Sequence, residues 1–99
     1  MDTGKLFEPR DLTTNNLVVD YAYGIRNDRF WIGIDDIDTE GTFQYTTGGN
    51  IVFTNWEVGQ PVNIPGHDCV QSMPKVEPWT GKWDDYICDN KRSSICELI

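Results

Sequence analysis

Apolar positions recur at the spacing of a helix in one stretch of the chain, from Thr14 to about Ile25. There they fall at i, i+1, i+4 and i+8, which places them on one face of a helix. The residues of this apolar face are Leu17, Val18, Tyr21 and Ile25. Side-chain oxygens just before them can accept hydrogen bonds from the first turn. The candidate N-caps are Asp11, Thr13 and Thr14.

Shorter apolar runs elsewhere have the length of strands. Residues 30–34 are almost continuously apolar, which is typical of a strand buried on both faces, whereas residues 42–45 alternate like a half-buried strand. Further strands are predicted at 69–73, 83–88 and 94–98, and residues 51–53 form either a strand or an extended segment. One helix with several short strands predicts an α+β fold.

Loops separate these elements. Residues 4–10 are predicted to be extended, because Pro9 disfavours helix at Glu8. Residues 35–41 form an acidic loop, and residues 55–66 carry two proline and two glycine residues. Long structured loops are uncommon in small domains and are often functional. We therefore expect a binding site near residues 55–66.

The length and charge of the chain narrow the classes of function. Its 99 residues predict a single domain spanning residues 1–99. A net charge of −8 argues against nucleic acid or an anionic membrane as the main partner. No apolar run is long enough for a membrane span. Residues 1–5 lack the apolar core of a signal peptide, so that segment was removed, or the chain is a fragment or a short natural product.

The three cysteines allow one disulfide and leave one thiol over. Cys69 and Cys88 flank a polar segment that contains Trp83. A bridge between these two cysteines would close a loop of about 20 residues and stabilise the fold by roughly 3 kcal/mol. Cys96 would then be a free thiol, either buried and inert or able to pair with another chain.

Several short motifs, taken in order, resemble those of the C-type lectin-like domain family over nearly the whole chain. Trp31-Ile32-Gly33-Ile34 resembles the family's core signature, and Trp56 followed by Gly59-Gln60-Pro61 resembles the approach to its long loop. The positions of Cys69, Cys88 and Cys96, and of Trp83-Asp84-Asp85 between the first two, also match the family pattern. The resemblance implies a C-type lectin-like fold of antiparallel strands, a helix and a long structured loop.

One departure from the family concerns the N-terminal side of the chain. The family's N-terminal strand and first cysteine are absent, and that cysteine normally pairs with the position of Cys96. The sequence therefore predicts a free thiol at Cys96 and an open edge in the terminal sheet. Both features favour self-association, so we expect a homodimer or a metal-linked assembly.

The resemblance also implies a calcium-bridged sugar site. Carried over by position, its ligands are Gln60, Val62, His67, Asp84 and Asp85. Val62 has no side-chain oxygen, although the neighbouring Asn63 could replace it, and His67 is a poor ligand for Ca²⁺. Imidazole and carboxylates together suit Zn²⁺ better. The alternatives at this site are therefore a weakened calcium site, or a zinc site built from His67, Asp84 and Asp85.

A second set of positions matches the family's auxiliary calcium site and keeps oxygen-bearing side chains throughout. Its members are Asp36, Glu40, Asn63 and Asp68. Ca²⁺ prefers such hard oxygen ligands. The other interpretation is that these residues only cap or solvate an acidic loop.

The predicted function is metal-assisted carbohydrate binding by a secreted domain, directed at microbial or cell-surface glycans. The alternative is a protein–protein interaction module that has lost the calcium-dependent sugar site. Catalysis has little support, because the chain has one histidine and no serine or cysteine in an activating motif. We therefore do not expect an enzyme.

Overall fold

A computed structural model describes residues 4–62, 64–89, 93–94 and 96–98. These residues form one helix and seven strands, which confirms the α+β class. In chain order the elements are β1 (Gly4–Leu6), α1 (Leu12–Ile25), β2 (Phe30–Asp35), β3 (Gln44–Tyr45), β4 (Cys69–Ser72), β5 (Trp83–Tyr86), β6 (Ser93–Ser94) and β7 (Cys96–Leu98). The helix has 14 residues, and no helix in the described ranges is both long and apolar enough to cross a membrane.

The strands form two sheets. The larger sheet has the antiparallel order β3-β2-β4-β5, with β6 parallel to β2. The smaller sheet pairs β1 with β7, and the backbone amide of Gly33 donates to the carbonyl of Phe7 just beyond β1. The predicted extended segment 4–10 thus contains a strand that pairs one edge of the C-terminal strand. Of the two alternatives for residues 51–53, a strand or an extended segment, the strand is not formed.

Helix α1 begins as the sequence indicates but buries a different face. Asp11 is the N-cap, and its carboxylate accepts from the backbone N–H of Thr14 at 2.7 Å. The predicted apolar face is not the buried one, because Leu17, Tyr21 and Ile25 are more than 60 % exposed. Asn15, Val19 and Ala22 face the core instead.

Buried hydrogen bonds of Asn15 explain why the helix turns this face, and not its apolar face, toward the core. The indole N–H of Trp83 donates to Asn15 Oδ1 at 3.0 Å. The amides of Asn15 and Asn55 both donate to the carbonyl of Gly81, at 3.3 and 2.7 Å. Burying an amide is tolerated when its hydrogen bonds are made. The helix is therefore fixed by partners that lie far away in the sequence.

Trp83 connects the core to the loop that was expected to carry the site. Its side chain is 0 % exposed. Its ring packs edge-on against Phe53 at 5.5 Å and Trp56 at 5.6 Å, measured between ring centroids. Trp56 and Trp83 also form a backbone bridge. The start of the long loop and the start of β5 are thus held together, and Asp84 and Asp85 follow directly.

Candidate functional site

The acidic loop after β2 lies beside the residue that precedes β4. The backbone N–H of Asp36 donates to the carbonyl of Asp68 at 3.1 Å, because β2 and β4 are antiparallel neighbours. The loop then turns back, and the N–H of Gly41 donates to Asp36 Oδ2 at 2.8 Å. This geometry brings Asp36, Glu40 and Asp68 together.

These three carboxylates, the acidic cluster, form a group that is suited to a cation. One oxygen from each of Asp36, Glu40 and Asp68 lies within 4.8 Å of the other two. Asp36 is 2 % exposed. The Oδ1 atoms of Asp36 and Asp68 are buried, and neither has a hydrogen-bond partner among the described residues. Buried acceptors without donors are costly, and a cation would satisfy both atoms.

Hydrogen bonding, burial and mutual repulsion raise the pKa of two members of the acidic cluster. The hydrogen bond to Asp36, together with desolvation and the charges of Asp36 and Asp68, raises the pKa of Glu40 to about 7. The hydrogen bond to Asp36 and then burial raise the pKa of Asp68. Negative charge on these carboxylates is therefore disfavoured, and a bound cation would offset it. The donor set consists of hard oxygens, so it fits Ca²⁺.

We expect the acidic cluster to make stability depend on pH when no metal is present. The pKa of Glu40 rises from 4.5 to about 7 on folding, so the folded state binds this proton more tightly. Its stabilising contribution is complete below pH 4.5 and is lost as the pH rises to about 7. In thermal melts with a chelator, the melting temperature of the parent should fall relative to that of Glu40→Gln as the pH rises from 4.5 to about 7. Parallel curves for the two proteins would contradict the assignment.

The second predicted site lies where the long loop meets β5. The Asp85 carboxylate is 2 % exposed and its Oδ1 accepts from the backbone N–H of Val62 at 2.9 Å. The Oε1 of Gln60 and the Oδ1 of Asp84 are buried, with no hydrogen-bond partner in the part of the chain that the structure describes. Burial raises the pKa of Asp84, opposed by a hydrogen bond with Gln71 and by the charge of Arg29. The site thus holds buried oxygen acceptors of the kind that pair with hydroxyl groups or a cation.

The zinc interpretation of His67, Asp84 and Asp85 finds no support in the geometry. Within the described residues, these three do not form a group whose ligand atoms all lie within 4.8 Å. Asp84 and Asp85 are consecutive in β5, and successive side chains of a strand point to opposite faces. The ring of His67 packs instead edge-on against Tyr86 at 5.6 Å, measured between ring centroids.

Two predicted participants have side chains outside the described residues. They are Asn63, expected at both sites, and Cys96, expected as the free thiol; only the backbone of Cys96 is placed, in β7. The disulfide between Cys69 and Cys88 is present and joins the start of β4 to the segment after β5.

Sequence reasoning missed two neighbours of the sites. Gln71 is 1 % exposed and hydrogen bonds to Asp84 from the adjacent strand, where the two residues are register partners. Asp35 lies at the end of β2, and its pKa is raised first by burial and then by repulsion from Asp38, Asp36 and Asp68. Strand pairing is the signal that would have identified Gln71, but the register of β4 and β5 is not readable from one sequence.

Comparison with known proteins agrees with this architecture. The family model described as Lectin C-type domain matches residues 2–98. The chain is 34% identical over 95 residues to pulmonary surfactant-associated protein D of Sus scrofa, covering 96% of this chain and 25% of that protein. It is 42% identical over 69 residues to mannose-binding protein of Gallus gallus, covering 69% of this chain and 25% of that protein. The chain thus spans about a quarter of the length of these two curated relatives.

A solved structure shares the fold over almost the whole chain. The C-type lectin CEL-I from Cucumaria echinata superposes with a TM-score of 0.85 at 27% sequence identity, covering 97% of this chain and 69% of that chain. The predicted C-type lectin-like fold is therefore confirmed. With a family model that matches nearly all of its residues, this chain belongs to the C-type lectin domain family.

Proposed function

We propose that this domain binds glycans in a calcium-dependent manner, through the long loop and β5. The observation that carries the proposal is the acidic cluster of Asp36, Glu40 and Asp68, whose oxygens lie within 4.8 Å of one another. The names of its relatives, a lectin and a mannose-binding protein, support carbohydrate as the ligand class.

The role assigned to the cation is to order the loops. When bound, Ca²⁺ supplies positive charge that offsets the repulsion among the carboxylates. Asp68 is the last residue before β4 and ends the segment that began at Trp56. Fixing Asp68 against Asp36 therefore restrains the long loop from its C-terminal side. A loop ordered in advance loses less conformational entropy on binding a ligand.

The residues proposed to receive sugar hydroxyls are Gln60 and Asp84, and Asp85 is proposed to position the loop that carries Gln60. Sugar hydroxyls donate hydrogen bonds, and the orphaned acceptors Gln60 Oε1 and Asp84 Oδ1 lack donors within the described ranges. Asp85 holds the loop backbone at Val62, so it positions Gln60 two residues earlier. Acceptors without donors favour a polyhydroxylated ligand over an apolar one.

The setting we infer is extracellular, with microbial or cell-surface glycans as targets. The Cys69–Cys88 disulfide joins the two ends of the β4–β5 region. Such bonds persist mainly in oxidising compartments. The name of one relative, pulmonary surfactant-associated protein D, supports the same setting.

Glycan binding with a chelator control tests the proposal. The domain is applied to a glycan array in Ca²⁺ and again in EDTA, and the Gln60→Ala variant is compared with the parent. We expect binding to need Ca²⁺ and to weaken at least about 10-fold in Gln60→Ala, since a site built to pair hydroxyls loses an acceptor. Gln44→Ala, an amide on β3 that bonds only to Asn50 among the described contacts, is the matched control. Glycan binding that is equal in EDTA would contradict the calcium role.

A specific observation supports a second candidate, recognition of a protein. Three apolar residues of the long loop are exposed: Val58 at 99%, Val62 at 42% and Ile64 at 50%. Val62 also occupies a position where the family resemblance calls for an oxygen ligand. Exposed apolar groups on a polar rim are typical of protein-binding surfaces. Absence of glycan binding in any ion, with capture of a protein that persists in EDTA, would favour this function.

A further inference from the structure

A cavity of about 400 Å³ lies between helix α1 and the loop that joins β4 to β5. Its polar lining side chains are those of Asn16, Asp20, Glu77, Thr80 and Lys82. None of them belongs to the proposed glycan site or to the acidic cluster. The cavity is therefore a separate feature, and its volume falls within the range of small-molecule sites.

The loop of residues 73–82, which we call the clamped loop, is held on both sides of the cavity. On one side, the Asn27 side chain and the backbone of Lys75 exchange two hydrogen bonds, of 2.8 and 3.2 Å. On the other side, the carbonyl of Gly81 accepts from the Asn15 amide at 3.3 Å. Two successive turn hydrogen bonds of 2.9 Å brace the loop between these points. The cavity is thus formed before any ligand binds, which lowers the entropy cost of binding.

The clamped loop touches the helix closely at Gly81, beside the cavity. Gly81 has a φ of +69°, and a Cβ at this position would lie only 3.1 Å from Cγ2 of Val19. Glycine adopts this backbone conformation without steric cost. Val19 is 3% exposed and also lines the cavity. The cavity therefore has an apolar base as well as polar walls, as ligand sites commonly do.

The two ends of the cavity carry opposite charges. Asp20 lies at the end where it pairs with Lys75 at 3.0 Å, and Glu77 follows Lys75 by two residues. Lys82 lies at the opposite end, where its ammonium donates to Asn55 Oδ1 at 3.2 Å. Among the described residues, Lys82 forms no ion pair. A partly buried ammonium with spare donors can accept an anionic group of a ligand through charge-assisted hydrogen bonds.

We propose that this cavity binds a small zwitterion of the size of a dipeptide. The ligand's ammonium lies at Glu77, because the charge of Asp20 is already offset by its ion pair, and its carboxylate lies at Lys82. A ligand that carries only one charge leaves the group at the other end without a partner, and such a loss is what specificity requires. The net charge of −8 further disfavours a purely anionic ligand.

The length of a dipeptide matches the distance between the two ends. Asn16 and Asp20 mark these ends on the helix, and one such step of four residues rises about 6 Å. Two extended residues span about 7 Å. The peptide group between the two charges then lies beside the amide of Asn16 and the hydroxyl of Thr80, which can donate and accept hydrogen bonds.

Titration of the ¹⁵N-labelled, disulfide-intact chain with L-alanyl-L-alanine tests the proposal by amide chemical shifts. We expect saturable shifts at the cavity-lining residues with a Kd of about 1 mM, as suits so small a ligand. N-acetyl-alanyl-alanine lacks the ammonium, and alanyl-alanine amide lacks the carboxylate. Each should bind about 3- to 10-fold more weakly, because each loses one charge-assisted contact.

Two variants assign the ends of the ligand. Lys82→Met keeps the aliphatic stem but no ammonium, so it should bind alanyl-alanine and its amide equally. Glu77→Gln keeps an oxygen acceptor for the Thr80 hydroxyl, which now donates at 3.0 Å, and should no longer distinguish alanyl-alanine from its N-acetyl form. Asp28→Asn is the control, since Asp28 is an exposed carboxylate that does not line the cavity.

Circular dichroism establishes that each variant is folded, and Glu77→Gln alone decides the outcome if Lys82→Met is not. The proposal is overturned if the lining residues show no saturable shift at about 20 times the expected Kd. Equal affinity of the parent for all three peptides would also overturn it, as would a Glu77→Gln variant that discriminates like the Asp28→Asn control. These outcomes do not depend on glycan or calcium binding.

Discussion

The Asp36→Asn variant is expected to lose the rise in melting temperature that Ca²⁺ gives the parent. Asp36 is the centre of the acidic cluster, since a hydrogen bond with its carboxylate is the largest cause of the raised pKa of both Glu40 and Asp68. Ca²⁺ at 100 times its Kd stabilises a folded domain by about 2.7 kcal/mol. Losing a direct ligand should weaken binding more than about 100-fold, the upper limit for losing a supporting group around a metal.

The same variant should behave in the opposite way in chelator. With no cation present, Asp36→Asn removes a buried negative charge from between two other carboxylates, so its melting temperature should equal or exceed that of the parent at pH 7. Asp36→Asn should therefore melt at or above the temperature of the parent in chelator, and below it in calcium. A variant that is merely destabilised would melt below the parent in both conditions.

Asp38→Asn is the matched control for this experiment. Asp38 is an exposed carboxylate in the same loop, and it is not a member of the acidic cluster. It should keep the full calcium response. If Asp36→Asn also keeps that response, the acidic cluster does not bind calcium, and glycan recognition by this domain would need another basis.

Sequence reasoning was accurate where one residue type has one physical role. The run Trp31-Ile32-Gly33-Ile34 is a buried strand within β2, and Cys69 is bonded to Cys88. The family resemblance also grouped Asp36, Glu40 and Asp68, and the structure brings these three carboxylates together, whereas their role as a metal site with Asn63 stays a prediction.

The errors arose where tertiary contacts decide the outcome. Apolar periodicity put Leu17 and Tyr21 on the main face of the helix, whereas the core accepted Asn15. The partners that satisfy Asn15 are Trp83 and Gly81, and these contacts span 68 and 66 residues. The spacing of apolar residues along a helix carries no information about partners so far away in the sequence. The zinc interpretation, which grouped Asp84 with Asp85, finds no support, since alternation along β5 points the two side chains to opposite faces.

The Trp83→Ala variant is expected to be the most destabilised single substitution considered for this chain. Trp83 is fully buried and packs against Phe53 and Trp56. Removing a buried Trp costs about 3–5 kcal/mol. Leaving Asn15 Oδ1 without its indole donor costs a further 1–3 kcal/mol, approximately. Since small domains have only about 5–15 kcal/mol of stability, a large unfolded fraction should be measurable by circular dichroism in urea at 25 °C.

Two further variants separate the contributions at this position. Trp83→Phe keeps an aromatic ring but cannot donate to Asn15, so it should lose mainly the hydrogen-bond part, about 1–3 kcal/mol plus a smaller cavity cost. Trp79→Ala is the control, because Trp79 is 44% exposed and should cost no more than about 1 kcal/mol. A free energy of unfolding for Trp83→Ala that lies within about 1 kcal/mol of the parent's would contradict this account of the core.

The consequence of Trp83→Ala for the site follows from chain connectivity. Trp83 directly precedes Asp84 and Asp85, and its backbone pairs with Trp56 at the start of the long loop. Removing the ring therefore loosens both sides of the proposed glycan site at once. In conditions where the variant is still mostly folded, we expect glycan binding to weaken more than it does in Trp79→Ala. Such a result would show that the core tryptophan acts on function by holding the loop against the strand, since its side chain is too deeply buried to touch a ligand.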